Sequence, residues 1–363
     1  MPRYVDSVSS TYTNTSSDNS SSSYTNQESR RFFYGLTSSG IPQTVLVQRL
    51  NKDDNGVSKW ENDRFYYHSV TPSQIETVQI DFSNNRANYV NYGKQQFKVD
   101  GLERLSYSYD LLGESPGNYR DNFKLDTKTS SIVIESYAKG GKPEYRYDKY
   151  YFTGTGTKGA LRSGSVNGPL AADVSVSGTQ KTGYGLNVKT YAPYFNNDSN
   201  GTSSAQLTNF GGSFDEIVSR NIALNLMGWG GMGFSEGIYN AALNAYDPKA
   251  FKTGLLGLMP TSSKFSDAKS NSSTTWSYEN QYPVRLADNG SGSYYDEYNG
   301  KDVNYTFNSS YAASYASSPQ LIATGLSGQD LIFLRRAINQ ANSAGLAPNG
   351  LPTISVDFLP KPE

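Results

Sequence analysis

The sequence contains no cysteine among its 363 residues. This absence excludes disulfide bonds, thiol catalysis, zinc–thiolate sites and iron–sulfur clusters. Charged residues make up only 18% of the chain, and the formal net charge is −1. Because nucleic-acid binders usually carry a basic patch, no nucleic-acid partner is expected. The adjacent arginines Arg30 and Arg31 are interpreted as a solvated pair.

Histidine is nearly absent as well, because His68 is the one histidine of the chain. A serine triad would have to use it, and no G-x-S-x-G elbow is present to supply the nucleophile. One imidazole without a thiol makes a transition-metal site unexpected. The sequence therefore predicts no catalytic residue, no cofactor and no metal ligand, and His68 is interpreted as a strand residue among tyrosines.

Long apolar runs are missing too. No run of about 18 apolar residues exists, so no membrane-spanning helix is expected. The start of the chain, Met1-Pro-Arg-Tyr4, lacks the apolar stretch that follows the charge in a signal peptide. We therefore predict no membrane partner, and synthesis and assembly in a cytoplasm.

Tyrosine is the residue that the sequence has in excess, with 29 copies in a chain of 13% aromatics. Tyrosine offers a large apolar area and one polar tip, which suits interfaces and sheet faces. The richest region, residues 261–320, is interpreted first as a subunit interface and second as a sugar-binding surface, and sheet faces filled with tyrosine remain open. Its tyrosines are Tyr294, Tyr295, Tyr298, Tyr305, Tyr311 and Tyr315.

Three helices are predicted from apolar spacing and capping residues. Ser213 and Glu216 have the spacing of a capping box, and apolar residues follow on one face, which predicts a helix over 214–227. A glycine-rich stretch, 228–233, is interpreted as a hinge to a second helix over 235–246 rather than as a ligand-binding loop. Ser327 and Asp330 form a second capping box for a C-terminal helix near 328–344.

Period-two alternation predicts strands over most of the remainder. The fold class is therefore mainly β (α+β), with β-sandwich-like sheets, a glycine-hinged helix pair and one C-terminal helix. The strand candidates are Thr44–Leu50, Thr77–Phe82, Ser131–Glu135, Tyr145–Phe152, Asp173–Ser177, Tyr184–Val188 and Thr353–Phe358.

Composition divides the chain into three predicted parts. Residues 1–29 form an extended Ser/Thr/Asn-rich arm that is expected to lie along a neighbouring subunit. Residues 30–155 form a β domain. Residues 156–363 form a β-rich domain that contains the three helices.

Two weak candidates for chemistry remain. Residues 51–62 resemble half of an EF-hand loop, but Asn62 stands where the last ligand should be Glu, so a polar turn is favoured. Paired carboxylates would suit a glycosidase, and Asp296–Glu297 is the one pair that lies in a tyrosine cluster. A solvated turn is favoured for this pair. The other carboxylate candidates are Glu103, Glu114, Asp215 and Glu216.

These features together resemble the virion proteins of tailed phages: no cysteine, no signal peptide, β segments rich in Ser, Asn, Gly and Tyr, and extended polar termini. The resemblance implies a non-enzymatic, oligomeric tail, neck, fibre-attachment or capsid-decorating subunit that contacts other subunits and itself in the virion. The alternative is a carbohydrate-binding or glycoside-cleaving β protein, which would bind a host surface glycan through its tyrosines, Trp60 and Trp276.

Overall fold

The computed structural model describes most of the chain. The described residues are 3–17, 24–52, 56–71, 73–83, 86–98, 101–110, 118–126, 128–129, 131–137, 145–155, 157–194, 199–227, 242–243, 246–247, 258–343, 354 and 359.

The described residues form one antiparallel sheet of eighteen strands. The mainly β prediction is confirmed. The strands are β1 (Tyr4–Ser16), β2 (Tyr24–Leu36), β3 (Pro42–Lys52), β4 (Ser58–Thr71), β5 (Gln74–Ser83), β6 (Arg86–Lys98), β7 (Gly101–Asp110), β8 (Asn118–Asp126), β9 (Ser131–Tyr137), β10 (Tyr145–Thr155), β11 (Lys158–Ser163), β12 (Leu170–Thr179), β13 (Gly183–Thr190), β14 (Gly201–Asn209), β15 (Leu258–Ser266), β16 (Ser270–Glu279), β17 (Tyr282–Asp296) and β18 (Lys301–Ala316).

The sheet closes on itself. Each strand pairs with the next along the chain, and β1 also pairs with β18, from Tyr4 opposite Ala316 to Ser16 opposite Tyr305. The prediction of sandwich-like sheets was therefore wrong, because a sandwich needs two separate sheets and this ring is one. Closure leaves no strand edge to pair with another chain.

Side chains alternate between two faces of the ring, as the pleat of a strand requires. We define the first face as the one that carries Val45 and Val47 of β3, and the second face as the one that carries Leu46 of the same strand. All three side chains are buried. A strand buried on both sides reads as an apolar run, which explains why Thr44–Leu50 was recognisable in the sequence.

Among the described residues, the helices whose bounds are described are α1 (Phe214–Leu226), α2 (Ile322–Gly325) and α3 (Gly328–Ser343). The predicted helices over 214–227 and near 328–344 are present as α1 and α3. The glycine hinge 228–233 and most of the predicted helix over 235–246 lie outside the described residues; Ala242, Leu243 and Tyr246 are helical. The three-part domain division remains a prediction.

Two buried clusters lie on the first face. The α1 cluster joins Val218, Ile222 and Leu224 of the helix to strands β15–β17 and β1–β4. The central cluster joins Ala242 and Leu243 to strands β10–β15. One connection, residues 210–257, thus supplies side chains that touch the first face from β10 round to β4. Contact around so much of the ring places the first face inside it and the second face outside.

A third cluster lies on the second face, where α3 covers strands β2–β6. Leu334 and Ile338 of α3 are fully buried there, against Leu46, Phe65 and Ile80. The Ser327 hydroxyl caps α3 by accepting from the Asp330 N–H at 3.2 Å, as the capping spacing predicted. No described helix has both the length and the apolar character needed to cross a membrane.

The two ends of the ring differ. At the end where β1 begins, four connections are only two residues long: 72–73, 99–100, 156–157 and 280–281. The long connection 210–257 also leaves from this end, which we call the α1 end. The opposite end has one two-residue connection, 84–85, and several longer ones, among them 17–23, 111–117 and 191–200.

Candidate functional site

The interior of the ring is the candidate site, and α1 fills its α1 end. The helix begins at the capping box that the sequence predicted: the Ser213 hydroxyl accepts from the Glu216 N–H at 3.4 Å, and the Glu216 carboxylate accepts from the Ser213 N–H at 3.0 Å. The bond from the Ser213 backbone lowers the pKa of Glu216 below its usual value. The cap fixes where the helix starts inside the ring.

The cap is expected to contribute measurably to stability. Ser213→Ala removes the acceptor for the Glu216 N–H and should lower the free energy of unfolding by about 1 kcal/mol. Urea denaturation followed by circular dichroism measures this change. Ser213→Thr keeps a hydroxyl at the same place and should be close to the parent protein. Equal losses in the two variants would show that the hydroxyl has no capping role.

Arg220 anchors α1 to the wall of the ring. Its side chain is the largest of those that are almost fully buried, with 1% exposed. The guanidinium donates to the carbonyls of Gly211 and Glu216 and, at 3.3 Å, to the side-chain oxygen of Gln281. A buried cation is tolerated only when its donors are satisfied, so these contacts fix the helix relative to the turn between β16 and β17.

The turn that receives Arg220 is itself unusual. Asn280 and Gln281 both have positive φ, 48° and 71°, as a two-residue turn between twisted strands requires. Asparagine tolerates this conformation, but glutamine is rare there. The Gln281 side chain is the one that accepts from Arg220, so a residue that strains the turn also provides the docking contact.

Toward the opposite end, the inner face carries a network of charges, which we call the charged lattice. It alternates three arginines with three acids on strands β2–β5, so its formal charge is zero. Its members are Glu28, Arg30, Arg49, Asp63, Arg64 and Asp81.

Asp63 is the centre of the charged lattice. Its carboxylate lies 3.5 Å from Arg30 Nε, 3.8 Å from Arg49 Nε and 3.9 Å from Arg64 Nε. Arg64 also lies 3.6 Å from Asp81, its partner across the β4–β5 ladder. A shift of register between Val47 and Gln48 leaves Asp63 as an extra residue in β4, and such bulges re-aim side chains.

The interpretation of Arg30 and Arg31 as a solvated pair was wrong. The two side chains point to opposite faces because neighbours in a strand alternate. Arg30 joins the charged lattice on the first face. On the second face the Arg31 guanidinium lies 4.5 Å from the ring centre of Trp60 and donates to Gln48 at 2.9 Å. The partners Gln48 on β3 and Trp60 and Asp63 on β4 are brought to the two arginines only by strand pairing, so composition gave no signal for them.

His68 lies in β4, buried with 5% exposed. Its ring stacks on that of Tyr66 at 5.8 Å, and its Nδ1 is 3.5 Å from the Thr77 hydroxyl. Among the described residues no group of three His, Asp or Glu side chains is arranged to hold a metal ion. In the EF-hand-like stretch, Asn51 belongs to β3 and Asn62 to β4, and residues 53–55 lie outside the described part.

The carboxylate candidates have structural partners where they are described. Asp296 accepts from the N–H groups of Tyr298 and Asn299, at 2.9 and 3.2 Å, and so closes the β17–β18 turn. Glu297 is its exposed neighbour. Asp215 lies in the first turn of α1 beside the capping Glu216. Glu103 lies in β7, and Glu114 is outside the described residues.

Five of the six tyrosines singled out in residues 261–320 divide between three environments, and the sixth, Tyr295, is 61% exposed on the second face. Tyr311 and Tyr315 pack against the α1 cluster on the first face. Tyr294 and Tyr305 are neighbours on that face, with ring centres 6.2 Å apart. Tyr298 lies at the turn and is 97% exposed. Of the two tryptophans in the carbohydrate hypothesis, Trp276 is buried in the α1 cluster and Trp60 is covered by Arg31.

Glycines make room for aromatic rings on the inner face. A Cβ at Gly290 would come within 2.6 Å of the Phe307 ring, and one at Gly292 within 2.5 Å of Tyr305. Each ring lies over the glycine opposite it on the neighbouring strand. Rings over glycine are one device that pins strand register. These aromatic residues therefore help to hold the register of the strands that form the wall of the ring.

Comparison with known proteins gives a fold likeness of low similarity. No protein-family model and no curated protein matches the chain. A porin-like protein from Bacteroides uniformis is 11% identical, with a TM-score of 0.30, over 85% of this chain and 96% of that one. OccK1 (OpdK) of Pseudomonas aeruginosa is 7% identical, with a TM-score of 0.35, over 86% and 98%. A porin refined at 1.8 Å resolution is 6% identical, with a TM-score of 0.26, over 85% and 100%.

The closed ring of antiparallel strands corrects the predictions of function. The resemblance to tailed-phage virion proteins was wrong, and so were the tail, neck, fibre-attachment and capsid roles and the carbohydrate-binding or glycoside-cleaving alternative. A closed up-and-down ring with an even number of antiparallel strands is the architecture of outer-membrane barrels.

The predicted partners and location were wrong for the same reason. Contacts with other virion subunits and with itself, and the virion location, followed from the virion resemblance, and the host glycan followed from the carbohydrate alternative. The absence of a membrane partner and the cytoplasmic assembly followed from the missing apolar run and the missing signal peptide. The expectation that residues 1–29 lie along a neighbouring subunit fails at Tyr4–Ser16, because β1 pairs on both sides within its own chain.

Proposed function

We propose that this chain is a non-enzymatic channel of the porin type, in which small ions cross an outer membrane through the closed ring. One observation carries the proposal: eighteen antiparallel strands pair in chain order, and β1 pairs with β18. Rings of 16 to 18 strands are wide enough to enclose an aqueous passage.

The inner face divides the passage into two parts. The α1 end is filled by α1 and its apolar cluster, which acts as a plug. The opposite part carries the charged lattice, where the Arg49 and Arg64 side chains are the most exposed, at 39% and 43%. Charged side chains that line a passage select ions by their sign. In this proposal α1 limits the flow and the lattice sets the ion preference.

Planar lipid bilayers test the channel directly. Purified protein should add discrete steps of conductance. Arg49→Gln removes one positive charge and should shift the reversal potential in a salt gradient toward cation preference. Asp81→Asn removes one negative charge from the same lattice and should shift it toward anion preference. Absence of steps from the parent protein, or equal shifts in the two variants, would contradict the proposal.

The outer face makes the membrane part of the proposal separately testable. Lipid-facing strands of membrane barrels carry an apolar band. From β16 round to β1, the second face instead carries polar side chains, for example the row Ser273, Asn289, Asn308, Thr13. Labelling of single positions on this part of the wall tests its contact with lipid.

Single cysteines provide that measurement, since the chain has none of its own. Ser310→Cys lies on the second face and Ser309→Cys on the first. With the protein in vesicles, a water-soluble maleimide should label Ser309→Cys through the passage and leave Ser310→Cys unlabelled in lipid. Rapid labelling of Ser310→Cys in vesicles would refute the membrane location while leaving the closed ring intact.

A further inference from the structure

An apolar row of side chains crosses strands β2–β6 on the second face. Its members lie opposite one another in four successive ladders, and each residue is at most 1% exposed. Four strand intervals make the row about 19 Å wide. Apolar side chains of this kind form the band that a membrane barrel presents to lipid. The row consists of Phe33, Leu46, Phe65, Ile80 and Val90.

Tyrosines and charges follow this row toward the α1 end. The next side chains on the second face include those of Val78 and of its ladder partners, Tyr67 and Tyr92. One step further, Glu76 accepts from the Tyr92 hydroxyl at 3.0 Å and lies 3.6 Å from Lys94 Nζ. An apolar band bordered by aromatic residues is typical of the wall of a membrane barrel. This part of the second face therefore has the pattern of a lipid-facing wall.

Helix α3 lies on this apolar surface and covers it. Leu334 and Ile338 are fully buried in the same cluster as the row, whereas Ile332 and Arg336, on the other side of the helix, are exposed. The sixteen residues of α3 give it a length of about 24 Å, which is enough to cover the row. The surface with the pattern of a lipid-facing wall is therefore the one that protein covers.

Apolar contact holds α3 in place, and the strength of that contact depends on the medium. In water, release of α3 would expose both Ile338 and the row beneath it, which is unfavourable. In a bilayer, the lipid chains are as apolar as the side chains of α3, so this driving force is lost. A released α3 has one apolar and one polar side, which suits a helix that lies in the plane of the membrane interface.

Hydrogen bonds hold the chain on both sides of α3. The Tyr34 N–H donates to the Gln320 carbonyl at 2.8 Å, which fixes the chain before α3 to β2. After the helix, the Asn342 side chain accepts from the Ile354 N–H at 3.1 Å and donates to the Ile354 carbonyl at 3.0 Å. Displacement would thus move α3 and the segment at Ile354 together, about the connection between Gln320 and Gly328.

We propose that the second face of β2–β6 is a membrane-binding surface whose partner is the hydrocarbon of the bilayer, and that α3 is its removable cover. Before insertion α3 lies on the row, and after insertion lipid takes its place. The proposal rests on the channel function proposed above, because that function makes the second face the lipid-facing side. It adds a step, the displacement of α3, that precedes stable insertion.

Distances between spin labels test the displacement, because cysteine pairs can be introduced into a chain that has none. One pair joins Asn339→Cys on the exposed side of α3 to Ser38→Cys in the exposed β2–β3 turn. Lipid-free protein should give one narrow distance. In vesicles that distance should change by about 10 Å or more, the diameter of a helix. The control pair, Ser38→Cys with Ser73→Cys, joins two turns of the ring and should keep its distance.

Two isoleucines of α3 form a matched pair for the kinetics of insertion. Ile338 is fully buried and Ile332 is 52% exposed, so the same substitution removes a contact with the wall only at Ile338. Ile338→Ala should loosen the cover and speed the loss of a potassium gradient across vesicles by about tenfold, because a buried isoleucine contributes strongly to packing. Ile332→Ala should stay within about twofold of the parent.

The outcomes separate this proposal from the channel function. Conductance steps together with an unchanged distance between positions 339 and 38 in vesicles overturn the cover and leave the channel standing. A changed distance without conductance steps supports the cover and contradicts the channel, and an unchanged distance without steps overturns both. Slower insertion of Ile338→Ala than of Ile332→Ala, with both variants folded by circular dichroism, shows a purely structural helix and also overturns the cover.

Discussion

Removal of residues 1–16 is expected to abolish the closed ring. Strand β1 joins β2 to β18, and its Val5 and Val8 side chains are buried with 2% and 1% exposed. Loss of these two buried side chains and of the partly buried contacts around them should lower the free energy of unfolding by about 5 kcal/mol. That is as large as the total stability of many domains. Light scattering after gel filtration should show aggregates in place of the parent species.

The physical reason is the exposure of two strand edges. Without β1, the backbone groups of β2 and β18 that pair with it are left open, and open edges pair with other molecules. A truncated protein that remains monomeric, with the parent thermal transition, would show that β1 does not close the ring.

Point variants separate closure from simple loss of chain length. Ser9 is exposed in the middle of β1, opposite Ala312 on one side and Ser29 on the other. Ser9→Pro removes the backbone N–H donor in a strand that is paired on both sides. It should therefore reproduce much of the aggregation expected when residues 1–16 are removed. Ser9→Ala keeps the donor and should stay within about 0.5 kcal/mol of the parent.

Arg220→Met is expected to have the second largest effect, a loss of about 3 kcal/mol in the free energy of unfolding. Methionine keeps a similar length and fills the space of the stem. It leaves the Gly211 carbonyl and the Gln281 side chain without their cationic donor. Urea denaturation followed by tryptophan fluorescence measures the change.

The same variant tests the role of α1 in the passage. If the helix is a plug held by Arg220, Arg220→Met should increase the mean conductance in bilayers as well as lower stability. Asn225→Ala is the matched control, because Asn225 is an exposed residue of α1, and it should change neither quantity appreciably. An Arg220→Met protein with the stability and the conductance of the parent would contradict both the anchoring role of Arg220 and the role of α1 as a plug.

Local chemistry made the helices recognisable in the sequence. A capping box needs only two residues three positions apart, and Ser213 with Glu216 formed it as expected. The same holds for Ser327 and Asp330 ahead of α3. Strands with an apolar face, such as those around Val45 and Val78, were recognisable because burial imposes alternation.

The charged lattice had no such local signal. Glu28 and Asp63 are far apart in the chain and meet at Arg49 only because β2, β3 and β4 lie side by side in one register. Pairing between strands decided this site.

The sequence by itself determined a cysteine-free, mainly β chain with capped helices at 214 and 328, because these properties depend on composition and on neighbours a few residues apart. The tertiary structure alone decided that the strands form a closed ring and not a sandwich. Both architectures use the same alternation within each strand, and they differ only in whether the first strand pairs with the last, Tyr4 with Ala316.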